Sequence, residues 1–219
     1  MSLRAALLSP LGPVFAAQGY VTLAIDLPCF GLRAGLSESA AAKARLWEGR
    51  SLAGQMLGEL SSALDYLAGR EDVDAGRIGV FGLSMGATFA YWLAAVDRRP
   101  ACIMHLCCFA DFRELIAQGA HDLHGVYLVV PGLLGVAGNG EIAGLAAPCP
   151  QLICVGDRDP LSPPPAVDIA FAQTLAAYQA AGASDRLVLH REPEGGHAES
   201  LAMRRHVLTF ADRHLKQDR

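Results

Sequence analysis

Apolar and polar positions alternate along this chain in two distinct periods. Short, mainly apolar runs recur at 20–28 (YVTLAIDLP), 77–82 (RIGVFG), 101–108 (ACIMHLCC) and 150–157 (PQLICVGD), with a shorter apolar centre in 185–192 (DRLVLHRE). Each predicts a buried strand. Longer stretches between them carry apolar residues at helical spacing. Leu52, Met56, Leu60, Leu64 and Leu67 mark one face of a helix over 51–70, and 87–96, 166–181 and 198–215 read the same way. Strands alternating with helices of this length predict an α/β fold: a three-layer α/β/α sandwich with a mostly parallel sheet.

The stretch 111–147 breaks this alternation by mixing apolar residues with many glycines and a proline. It predicts a short helix and loops lying over the sheet edge, either as a lid-like insertion above a substrate pocket or as plain packing.

With 219 residues, 52% of them hydrophobic, the chain is long and apolar enough to bury one sizeable core, so a single domain spanning 1–219 is expected. Its formal net charge is −4 and its longest basic cluster is the RRH at 204–206, which makes nucleic acid a poor partner. There is no apolar run of membrane-spanning length, and two prolines break the apolar N-terminal stretch. The expectation is a soluble cytoplasmic protein, without a membrane partner, acting on small molecules. Six scattered cysteines without C-x-x-C spacing predict buried free thiols. His121 and His124 in HDLHG have only Asp122 as a nearby carboxylate, so no metal site is expected there.

The candidate chemistry centres on GLSMG at 82–86, between the strand-like RIGVF and the helix-like ATFAYWLAAV. Serine and glycine are ordinary turn residues. A G-x-S-x-G between a strand and a helix is also the pattern of a nucleophile elbow, where the serine sits in a strained turn and the helix N-terminus points its free N–H groups at the same spot. Gly82 and Gly86 would let neighbouring backbone pack close to Ser84. Groups that work with Ser84 belong in the loops at the carboxyl ends of later strands. The loop after PQLICV offers Asp157 and Asp159, and the loop after DRLVLHREPE offers His197. The resulting order of serine, acid and histidine is that of the α/β-hydrolases. His105 and His190 are alternative bases, but both lie within strand-like runs and read as core residues.

Five motifs carry a family resemblance: GYVTLAIDLPCFG, ALDYLAGREDVDAGRIGVFGLSMGATFA, HDLHGVYLVVPGLL, APCPQLICVGDRDPLSP and GGHAES. From Gln18 to the C-terminus the chain resembles serine hydrolases of the α/β-hydrolase superfamily, in the neighbourhood of dienelactone hydrolases and acetyl-xylan-esterase-like carboxylesterases. The resemblance implies Ser84 as nucleophile, His197 as general base and Asp159, the second aspartate of GDRDPLSP, as the acid. It implies a small-molecule ester substrate cleaved through an acyl-enzyme without a cofactor. An acyltransferase using the same triad, or a weakly active binding protein, are the other readings.

Two departures accompany the resemblance. Dienelactone hydrolases proper carry cysteine at the elbow, where this chain has Ser84, and the usual glycine of the D-x-P-G-x-G loop is replaced by Cys29. The N-terminus is also short. The N–H of Met85 is one expected oxyanion donor. A second could come from Leu11 if RAALL is a strand followed by a shortened loop. If instead RAALLSPLGPVFAAQG is the first helix, that donor is missing. The second alternative implies slow turnover and an unpaired sheet edge that a homodimer could cover.

Overall fold

The computed structural model describes residues 8–216. Four of the five predicted strands form: β1 (Gly79–Leu83), β2 (Cys102–Leu106), β3 (Gln151–Gly156) and β4 (Leu187–Glu192). All pair in parallel, in the order β1-β2-β3-β4, with Met104 of β2 level with Phe81 on one side and Leu152 on the other. The two central strands are buried at every position, which accounts for their unbroken apolar sequences.

Among the described residues eight helices accompany the sheet: α1 (Leu11–Ala17), α2 (Glu38–Trp47), α3 (Leu52–Ala68), α4 (Met85–Val96), α5 (Phe112–Gln118), α6 (Asn139–Gly144), α7 (Pro164–Ala180) and α8 (Leu201–Leu215). Alternate strand residues point to opposite faces. Cys102, Met104, Leu106, Leu152 and Cys154 pack with Leu11 and Phe15 of α1 and with Met203, Val207 and Phe210 of α8. On the other face Ile153 and Val155 join Met56 of α3, Phe89 and Trp92 of α4, Ile142 of α6 and Val167 of α7. The outcome is the expected three-layer α/β arrangement. Side-chain caps set several helix starts: Ser51 Oγ accepts the Gly54 N–H at 3.0 Å, and Ser200 Oγ accepts the Met203 N–H at 3.0 Å.

The fifth expected strand, 20–28, does not form. A strand exists only through a hydrogen-bonded neighbour, and among the described residues β1 pairs with β2 alone. A cleft of about 400 Å³, lined also by Leu67, Ile78 and Leu215, lies between residues 20–24 and the Gly79–Phe81 edge. Val21 and Leu23 are accordingly exposed. Of the two N-terminal alternatives, most of RAALL lies outside the described residues, while Leu11–Ala17 is helical behind Pro10.

The 111–147 stretch holds α5, three short 3₁₀ turns and α6. It packs against α2, an element the periodicity does not announce, and the Tyr127 N–H donates to Glu38 Oε1 at 3.2 Å. All six cysteines are free thiols. No helix among the described residues is long and apolar enough to cross a membrane.

Candidate active site

Ser84 sits between the end of β1 and the first residue of α4, with φ 55° and ψ −118°. A positive φ is costly for any side chain with a Cβ, and such strain concentrates at functional positions. Neighbouring backbone holds it in place: the Ser84 N–H donates to Leu106 O at 2.9 Å, and Ser84 O accepts from the Ala87 N–H at 2.9 Å. The two flanking glycines do different things. A Cβ on Gly82 would lie 1.9 Å from Gly86 O, so this position excludes every other residue. A Cβ on Gly86 would meet nothing within 4 Å, so the expectation of close packing holds at Gly82 and fails at Gly86.

Asp159 and His197 arrive from the loops after β3 and β4. His197 Nε2 lies 2.7 Å from Ser84 Oγ, and His197 Nδ1 lies 2.7 Å from Asp159 Oδ2. The Asp159 side chain is fully buried, whereas His197 remains partly open to solvent. The second carboxylate oxygen, Oδ1, accepts the Leu161 N–H at 2.9 Å, and Asp159 O accepts the Ser162 N–H at 3.1 Å. Both carboxylate oxygens therefore have donors, which a buried carboxylate requires. Asp157 is directed away: its Oδ1 accepts from Arg191 Nε at 2.9 Å.

The acid and histidine loops touch through two glycines that the sequence reading passes over. A Cβ on Gly156 would lie 2.4 Å from the Gly195 carbonyl, and the Arg158 N–H donates to Gly195 O at 2.8 Å. Their signal is the pair VGD and EGG at the two strand ends, where glycine marks close backbone approach.

The alternative bases sit elsewhere. His105 is buried in β2 between the rings of Tyr91 and Phe109, and burial alone pushes its imidazole down to about 3. His190 is not in the core as expected. It is partly buried on β4, with its ring tilted against that of His206 at 4.2 Å and Nε2 3.1 Å from Glu192 Oε1.

Met85 opens α4, where no carbonyl four residues back is available to its N–H. Its side chain is partly buried against the core built around Phe89, Trp92 and Ile153. Phe30 meets Tyr127 edge-on at 6.0 Å, which joins the 26–31 loop to the 111–147 stretch. Leu11, the other candidate donor, is the first residue of α1, and its side chain is buried on the α8 side of the sheet. His121 is exposed, and His124 is half-buried with Nε2 2.9 Å from Leu161 O.

A parallel sheet with a strained serine at a strand-to-helix turn, and a histidine and a buried acid from the loops after the next strands, defines an α/β-hydrolase fold. Comparison with known proteins agrees with that fold: residues 11–105 of the chain match the Dienelactone hydrolase family. It is 39% identical over 197 residues to YtaP of Bacillus subtilis (strain 168), which carries the name of a hydrolase. That match covers 90% of this chain and 66% of YtaP. Among solved structures, TT1662 from Thermus thermophilus superimposes with a TM-score of 0.70 at 23% identity, covering 95% of this chain and 82% of that one. A glucuronoyl esterase from Solibacter usitatus gives a TM-score of 0.64 at 19% identity, covering 76% of this chain and 50% of the esterase. The chain thus spans just under two thirds of YtaP and half of the esterase.

Proposed function

We propose that this protein is a serine hydrolase cleaving carboxylic esters of small acyl groups, with Ser84 as nucleophile, His197 as general base and Asp159 as the acid that orients it. The observation carrying this reading is the hydrogen-bonded chain from Ser84 Oγ through both ring nitrogens of His197 to Asp159, with 2.7 Å at each step. Neutral His197 would hold its proton on Nδ1, donated to Asp159, leaving Nε2 to take the Ser84 proton as Oγ attacks the ester carbonyl. The resulting imidazolium would give that proton to the departing alcohol. Water, deprotonated by the same nitrogen, would then release the acyl group. Met85 N–H would hold the oxyanion, because the start of a helix leaves it without an intrahelical acceptor.

The class of reaction is supported by the Dienelactone hydrolase family match and by structural neighbours named as esterases. A small acyl group is favoured by the partly buried apolar residues Val126, Val130 and Leu133, which pack against the same core as Met85, the residue after the nucleophile. The 111–147 stretch would then act as the wall of the acyl site. A homodimer belongs to this reading only through the edge of β1 that has no partner strand among the described residues, and is checked by sedimentation.

The direct test is hydrolysis of p-nitrophenyl acetate together with intact mass after a fluorophosphonate probe. Wild type should turn over the ester and gain one adduct, and Ser84→Ala should do neither. Equal labelling of both proteins would overturn the assignment of Ser84.

A further inference from the structure

His124 belongs to the 111–147 stretch but reaches across to the turn that carries Asp159. Its Nε2 lies 2.9 Å from Leu161 O. A carbonyl only accepts, so His124 must donate from Nε2–H. Burial lowers the pKa of this imidazole while the bond to Leu161 O opposes that shift, and the ring donates from Nε2–H in either charge state. The Phe112 ring packs edge-on against it at 5.9 Å and limits its rotation.

Leu161 is the residue whose own N–H donates to Asp159 Oδ1. Ser162, next along, donates its N–H to Asp159 O and accepts the Phe109 N–H on Oγ at 3.3 Å. Beyond the Arg158–Gly195 contact, residues 161 and 162 of the turn are held from outside at two points: Phe109, just beyond β2, and His124. Removing the second anchor loosens the Leu161–Ser162 peptide, which is one Cα away from the Leu161 N–H that fixes one carboxylate oxygen of Asp159.

We propose that His124 is a positioning residue: through the Leu161 carbonyl it sets the orientation in which Asp159 meets His197. The proposal rests on the triad reading above. It gives the HDLHG histidine a part in catalysis without substrate contact or metal binding.

The test compares His124→Leu, which loses the donor, with His124→Gln, whose Nε2 amide can reach the same carbonyl, and His124→Asn, which is polar but too short. Leu and Asn should lower kcat by between about 10- and 100-fold, as expected for a displaced catalytic group, with KM changed less than about two-fold. Gln should recover most of the loss. The far-downfield proton NMR signal of the His197–Asp159 hydrogen bond should weaken or shift in Leu and Asn and return in Gln. Wild-type kcat and an unmoved proton signal in either Leu or Asn would overturn the proposal, as would failure of Gln to restore both. Ser84→Ala, run alongside, separates the two claims. If it hydrolyses ester like wild type, the triad reading fails, while the proton signal still decides whether His124 orients the Asp159–His197 pair.

Discussion

Gly156 and Gly195 meet backbone to backbone: a Cβ on Gly156 would sit 2.4 Å from the carbonyl carbon and oxygen of Gly195. The contact fixes the spacing between the loop that carries Asp159 and the loop that carries His197. Because the obstacle is main chain, a substituted side chain there has nothing flexible to push aside. Gly156→Ala is therefore expected to separate the loops, costing about 1–3 kcal/mol of stability as an overpacked site does. It should also lower esterase kcat by about 10- to 100-fold through misplacement of His197. Chemical denaturation and p-nitrophenyl acetate kinetics on one preparation check both.

The strain at Ser84 predicts a split between stability and activity. At φ 55° an alanine retains the Cβ penalty while a glycine escapes it. Ser84→Ala and Ser84→Gly should both lose at least about 10³-fold in turnover. Ser84→Gly should nonetheless be more stable than Ser84→Ala, by about 1 kcal/mol. Equal unfolding midpoints for the two variants would show that the elbow is not strained.

Asp159 and Asp157 are two residues apart and make opposite predictions. Asp159→Asn would put an amide against His197 Nδ1 and favour the wrong ring tautomer, with an expected loss of about 10³- to 10⁴-fold in kcat. Asp157→Asn disturbs only the Arg191 contact on the partly exposed side of β4 and should stay within a few-fold of wild type. The reverse ranking would move the acid to Asp157.

Acid sensitivity should trace in part to His105. The buried ring titrates near 3 in the folded protein against about 6.5 when unfolded. Gln151 Nε2 lies 3.1 Å from His105 Nε2, and it is burial that disfavours the charged ring. A base with a depressed folded pKa binds more protons when unfolded, so stability rises with pH between these two values and falls as pH drops from 6.5 toward 3. The full loss is on the order of 5 kcal/mol from this group. His105→Met should flatten the dependence of the urea midpoint on pH over that window. An unchanged slope would mean that other groups dominate it.

Much of this architecture is legible in the sequence because burial on both faces leaves an unbroken apolar run, as in Cys102–Leu106 and Gln151–Gly156. The same signal misleads at 20–28, since propensity describes a segment and a strand requires a neighbour; here a cleft stands where the ladder would be. Helix α2 escapes detection because Ala42 is its single buried residue, so it lacks an apolar stripe, and Ser37 at its cap is the one clear sign. At the site, the candidates Ser84, Asp159 and His197 follow from strand ends and chain order. The resemblance favours Asp159 over Asp157, and a physical reason for it, the Arg191 partner of Asp157 that lies 34 residues away, is visible only in three dimensions.

The loop in which Cys29 replaces the usual glycine carries the last prediction. The Phe30 N–H donates to Leu27 O at 3.0 Å, closing a four-residue turn with Pro28 and Cys29 at its centre. Cys29 has φ 75°. Proline followed by a residue of positive φ is the pattern of a type II turn, in which the third position is made for glycine. The loop therefore keeps the glycine conformation without the glycine, at a cost of about 1–3 kcal/mol for a side chain held in that region. Cys29→Gly relieves this strain, but it adds about 0.4–1 kcal/mol of unfolded-state freedom and removes a half-buried thiol from the cluster beside Phe30. The strain is the larger effect, so the variant should gain about 1 kcal/mol, or roughly 2–4 °C in Tm for a domain of this size. Cys29→Ala keeps the strain and loses the packing, so it should be no more stable than wild type. A scanning calorimetry series of the three proteins checks the order, and an alanine variant as stable as the glycine one would show that the thiol, rather than the backbone, is what the loop bears.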